Sequence, residues 1–306
     1  MADFDSNTAL AYVNGQRDIL EPIVNATVFP EVLYADLIPV DTSAPEWTRS
    51  ITVRNSEMYG SAGWINGNAD DINVAGNKYG ESQSTVHMAG IGYAFGYEEL
   101  AASMANGVNL PNDDAIAARR VSEHFIDKVA FIGDEAKGMQ GLLNTAGVTT
   151  ISASGKFADA TEDAILKDIN RMLTGTATDT GYQVPADTLL LPYETMYYLA
   201  STPLSSKSGG TLLSFIQQYN VYTTTTGRPL TVRALSRLNG AATGGANDRA
   251  VAYANDPSVL KMQLPMPHKF LPTFQTGAMN FVVGGILRVG GLDIRNKGAV
   301  RYIDGV

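Results

Sequence analysis

The sequence predicts an α+β protein, and three patterns in its 306 residues carry that prediction. Leu110 to Ile132 is one long stretch with helical period. Ahead of it, Ile51 and Val53 alternate with Thr52 and Arg54, the period-two pattern of a strand. After Asp159, helical stretches interleave with short apolar runs such as Leu189-Leu190-Leu191, which suits one compact unit of mixed elements. No repeat of fixed period appears, which removes solenoids and propellers.

Composition narrows the function classes. Hydrophobic content of 44% and charged content of 17% describe a chain that can bury a substantial core. A net charge of -9 argues against a surface that grips nucleic acid electrostatically, though not against a container whose wall must not adhere to its contents. With 0 cysteines there are no disulfides and no thiolate metal sites. The longest apolar run near the end, Phe281 to Leu287, stops at Arg288 and is too short to span a bilayer. Met1 to Asp5 lacks the basic and apolar regions of a signal peptide, so folding in a cytosol is expected.

In chain order, residues 1–35 read as an extended arm with a short helix, because Pro22 and Pro30 disfavour a long one. Phe29 to Val40 reads as a strand-bearing segment. Glu46 to Met58 and a return strand over Ser84 to Tyr97 frame a two-stranded ribbon. Between them, Gly60 to Ser82 is rich in glycine and asparagine and cannot order itself by burial. Trp64, Ile65 and Tyr79 stand in that stretch without evident partners, as exposed aromatics awaiting a contact do.

Tyr97 to Asn106 gives a short amphipathic helix, and Leu110-Pro111-Asn112-Asp113-Asp114 opens the long one, with proline and carboxylates suited to the first turn. Along this helix, 111–132, Ala118, Val121, Phe125, Val129 and Ile132 recur at three and four and are expected to form the buried stripe, with Glu123 on an outward face. Gly133 follows the last apolar residue, where a left-handed helix end favours glycine. Asp159-Ala160-Thr161-Glu162 is a capping-box pattern opening a helix with Ile165, Ile169, Met172 and Leu173 buried and Gly175 just past its end. Helices at Tyr193 to Ala200 and Leu212 to Tyr219, and strands at Leu230 to Leu235 and Ala250 to Ala254, follow. Strand material at Phe281 to Val283, Ile286-Leu287, Leu292 to Ile294 and Ala299 to Ile303 completes the chain.

Chemistry is sparse. The 3 histidines, His87, His124 and His268, are scattered and no pair has metal-ligand spacing. Asp70-Asp71 lacks the bidentate glutamate of a calcium loop. Gly284-Gly285 and Gly290-Gly291 are followed by no helix pattern and no P-loop lysine, so they read as bulges or close backbone approaches. No nucleophile, base or metal set converges, and no catalytic residue, cofactor or metal is expected.

The most informative stretch follows the long helix. Gly133, then Gly138-Met139-Gln140-Gly141-Leu142-Leu143-Asn144, resembles the turn that ends the spine helix of tailed-bacteriophage major capsid proteins with the Hong Kong 97-type fold. The order of elements on both sides is similar too. The resemblance implies an N-terminal arm (1–35) and an extended loop (46–97). It also implies a peripheral domain (36–45, 98–136 and 256–290) with spine helix 111–132, and an axial α+β domain (137–255 and 291–306).

By the same resemblance the chain is a structural virion protein. It would assemble with itself into hexamers and pentamers of an icosahedral head enclosing double-stranded DNA, without sequence-specific binding and without a membrane. It would assemble in the host cytoplasm and reside in the virion. With no long segment ahead of the arm, a scaffolding protein in trans is implied. Lys78 stands on the loop as crosslinking lysines do in some members, but no partner asparagine or catalytic carboxylate can be matched. Three other readings stand beside this one: an encapsulin-type nanocompartment shell; a glycan-active enzyme using paired carboxylates, for which no two acids stand out; and a tail or surface-binding protein, which should be richer in strands and poorer in the long helix.

Overall fold

A computed structural model describes residues 32–64, 73–106, 112–204, 210–242, 245 and 247–306. Its centre is a five-stranded sheet in the order Thr231–Ala234, Thr188–Leu191, Arg249–Tyr253, Val300–Asp304, Thr149–Ser152. The outer pairs are parallel and the inner ones antiparallel. Alternation along its strands divides two cores. Leu189, Leu191, Ala250, Ala252 and Ile303 point to a layer of helices, Glu162–Asp179, Tyr193–Ser201, Leu212–Gln218 and Val221–Thr226. Leu190, Val251, Tyr253, Val300 and Tyr302 point the other way, into a core shared with the C-terminal half of the long helix.

The long helix, Asn112–Phe131, joins that core to a third one. Ile126, Val129, Ala130 and Phe131 are buried with the sheet, whereas Ala115 and Ala118 pack with Phe95, Leu100, Phe270, Phe281 and Val283. The expected stripe is therefore corrected in phase. Val129 is buried, but Val121, Phe125 and Ile132 are 51%, 37% and 41% exposed. Small and polar residues, Ala115, Ala118, Ser122 and Asp127, occupy the closely packed side. Val121, Phe125 and Ile132 lie about 100° round the helix from it, one residue's rotation. Glu123 is not outward either: it accepts a hydrogen bond from Tyr34 Oη at 2.8 Å and pairs with Arg119 at 3.0 Å.

Elsewhere the helix Glu162–Asp179 buries Ile165, Ile169, Met172 and Leu173 as expected. Gly175 lies inside it, not past its end, because the Arg301 guanidinium crosses the helix where a Cβ would sit. Phe29 to Val40 differs as well: Tyr34–Leu37 is a short helix before the strand Val40–Asp41. The ribbon pairs Ser50–Tyr59 with Gly76–Thr85, so Gly76 to Ser82 belongs to a strand. The return strand expected over Ser84 to Tyr97 is instead broken into pieces. His87–Gly90 pairs with Gly285–Val289, and Tyr93–Gly96 with Asn280–Val283. Gly90, Gly92 and Gly285 permit this, since a Cβ at each would meet a facing carbonyl oxygen at 2.7, 2.1 and 2.3 Å.

Candidate assembly interface

The ribbon is held by its backbone. Its two strands make ten registered pairs, from Ser50 opposite Thr85 to Tyr59 opposite Gly76. No described residue from 50 to 85 belongs to any of the three buried clusters. Met58 and Tyr79 lie on one face, 88% and 73% exposed, and Trp64 beyond the strand is fully exposed. On the other face Tyr59 covers Gly76, with Lys78 Nζ 6.0 Å from its ring. Ile65, the remaining residue expected at this surface, lies outside the described residues. A two-stranded ribbon is marginal alone, and large exposed apolar side chains on it mark a contact surface.

At the ribbon's base Ser84 Oγ donates to the Gly290 carbonyl at 2.5 Å, which ties the ribbon to the strand that follows Gly290. A cleft of about 270 Å³ separates this base from the glycine turn, lined among others by Gln83, Lys137 and Gln140.

The turn itself is closed by the helix it follows. Gly133-Asp134 pairs with Met139-Gln140, and both Gly133 and Gly138 have left-handed backbones, at φ of +79° and +67°. The chain then doubles back onto the helix end. Leu142 N donates to Ala130 O, Leu143 N to Phe131 O, each at 2.9 Å, and Asn144 Nδ2 to Ile132 O at 2.7 Å. The last carbonyls of the helix are thereby satisfied. Gly141 is needed because a Cβ there would meet the Phe131 carbonyl carbon and oxygen at 2.3 Å. Leu142 and Leu143 enter the core.

Two buried charged nodes, invisible to local periodicity, fix this frame. Asp127 Oδ1 accepts the N–H groups of Leu33 and Tyr34 at 3.0 and 3.1 Å, at the positive end of the short helix. Its Oδ2 accepts from Arg237 at 2.8 and 2.7 Å. Arg249 donates to both Asp304 oxygens at 2.6 and 2.8 Å and to the Leu143 carbonyl at 2.6 Å, and lies over the Tyr302 ring. Tyr302 Oη donates to the Leu142 carbonyl at 2.6 Å, and burial raises its pKa. Both nodes tie the turn region to elements more than 100 residues away in sequence.

His268 is buried, its Nε2 3.1 Å from the Ile91 carbonyl oxygen, and burial lowers its pKa. Among the described residues no group of three or more His, Cys, Asp or Glu is placed to hold a metal ion. No helix among them is long and apolar enough to cross a membrane.

The family model for major capsid protein matches residues 60–306. Among solved structures, the capsid of Myoviridae phage XM1 superposes with a TM-score of 0.76 at 18% identity, covering 92% of this chain and 94% of that one. A Mycobacterium phage Adephagia structure gives 0.60 at 15% identity, covering 92% of each chain. A virus-like particle from Pyrococcus furiosus gives 0.55 at 14%, covering 95% and 99%. No curated protein matches. The fold is that of the Hong Kong 97-type capsids, and the chain belongs to the major capsid protein family.

Proposed function

We propose that the chain builds its shell from hexamers and pentamers, with the ribbon Ser50–Tyr59 and Gly76–Thr85 reaching across to a neighbouring subunit. The observation that carries this reading is a ten-pair ribbon none of whose described residues belongs to the subunit's own cores, while Met58, Trp64 and Tyr79 are presented outward. Val121, Phe125 and Ile132 on the long helix add a second apolar surface for contact within the shell.

In this reading residues 137–255 and 291–306 gather around capsomer axes, and 36–45, 98–136 and 256–290 form the periphery. The shell encloses double-stranded DNA, held by containment and not by sequence, which suits a chain of net charge -9. A scaffolding protein supplied in trans guides assembly in the host cytoplasm. The subunit works without turnover of its own. A hydrolase or transferase activity that follows the pure protein and disappears on one point change would contradict this.

Electron microscopy of the purified full chain, alone and with its scaffolding partner, tests the reading. Closed shells of uniform diameter with clusters of six and five subunits are expected. Monomers or unstructured aggregates under both conditions would overturn it.

A further inference from the structure

The helix Tyr193–Ser201 is apolar on two sides. Thr195 and Leu199 are buried in the helical layer. Tyr193 and Tyr197, one turn apart with ring centroids at 6.0 Å, are exposed, and Met196 beside them is half-buried. A surface helix ordinarily turns a polar face to water, so a second apolar stripe calls for a cover.

That stripe borders a groove of about 290 Å³. Its walls are mostly apolar, Tyr193 and Met196, Val232 and Ala234 of the strand Thr231–Ala234, and Leu33 and Leu37, with the charged Asp36 and Arg233 completing the lining. Thr231–Ala234 is the edge strand of the five-stranded sheet, paired on one side only.

The described chain starts at Val32, one residue from the groove wall, with 31 residues ahead of it. The nearest of these, Ile23-Val24-Asn25-Ala26-Thr27-Val28-Phe29, are rich in β-branched and apolar residues and bounded by Pro22 and Pro30. That composition suits an extended segment. At about 3.3 Å per residue, Phe29 reaches roughly 13 Å from Leu33 and Ile23 roughly 33 Å, so the whole segment lies within reach of the groove. We propose that residues 23–29 of the same chain seat in this groove, covering Tyr193 and Met196 and lying beside the edge strand Thr231–Ala234. The proposal is independent of the ribbon's role.

The chain holds 0 cysteines, so introduced pairs report without interference. Val24→Cys and Val28→Cys, each combined with Met196→Cys in the full chain, are oxidised and run on a denaturing gel. Val28→Cys with Gln275→Cys, on a different sheet, is the control. An intramolecular bond to position 196 and none to 275 is the expected result. A dimer-sized product would assign the groove to a second copy and overturn the proposal, as would equal bonding to both positions or bonding to neither. Hydrogen exchange on the unmodified chain covers the case in which a variant fails to fold. Protection of at least tenfold over residues 23–29, lost in Met196→Asp, is expected, and exchange at the unstructured rate would overturn the proposal.

Discussion

Gly133 and Gly138 share a left-handed backbone but not the space around it. A Cβ at Gly133 would meet the Met139 carbonyl oxygen at 2.3 Å, whereas at Gly138 nothing lies within 4 Å. Alanine at either position meets the steric penalty of that backbone, about 1–2 kcal/mol. Gly133→Ala adds overpacking of about 1–3 kcal/mol against backbone that cannot yield. Thermal melts should therefore show Gly133→Ala well below Gly138→Ala; equal losses would mean that the hairpin does not close on the helix. Asp127 and Phe125 make a second contrast. Asp127→Ala removes the acceptor of the buried Tyr34 N–H, the half-buried Leu33 N–H and the Arg237 guanidinium, and should cost about 3 kcal/mol, the lower end for a broken buried pair because Arg237 is partly open to water. Phe125→Ala, on the exposed side, should fall well short of the roughly 3–5 kcal/mol of an emptied aromatic site. Denaturant titrations of the unassembled subunit compare the two, and a larger loss at Phe125 would restore the stripe read from the sequence.

At the scale of elements, Val40–Asp41 adds an edge strand to Leu260–Gln263, and Asp41 pairs there with Lys261. The hydrogen bond from Lys261, then that from Ser43, lowers the Asp41 carboxyl from 3.8 to about 2. A depressed carboxylate contributes stability that is complete above its unfolded pKa and lost as pH falls through the folded value. This contribution should therefore fade between about pH 4 and 2. Asp41→Asn should flatten that part of the stability profile measured by denaturant melts, and an unchanged profile would remove the pairing. Elements with local causes were legible in the sequence. The helix Glu162–Asp179 follows from its four apolar positions, although its N-cap is Thr161, with no side-chain capping bond, and not the Asp159 of the capping-box pattern; the turn follows from Gly133, Gly138 and Gly141. The ribbon's return strand was not, because His87–Gly90 and Tyr93–Gly96 are placed by partners near residue 285. No local period encodes such a pairing. The burial of Asp127 and Arg249 is set in the same way, by partners distant in sequence at Arg237 and Leu143.

At the scale of the whole molecule, the long helix is a bar between two cores, with the turn fastening one end to the central sheet. The ribbon stands outside this frame. The account's central claim is that the ribbon serves the shell and not the fold of the subunit. Replacing Arg54 to Glu81 by Asn-Gly tests it most directly, because Val53 and Ser82 are paired and a two-residue turn can join them. Closure entropy changes by only about 0.6 kcal/mol per halving of the loop. The shortened chain should melt cooperatively, with circular dichroism near that of the parent, and sedimentation and electron microscopy should find no shells where the parent forms them. Intact shells from the shortened chain would contradict the account.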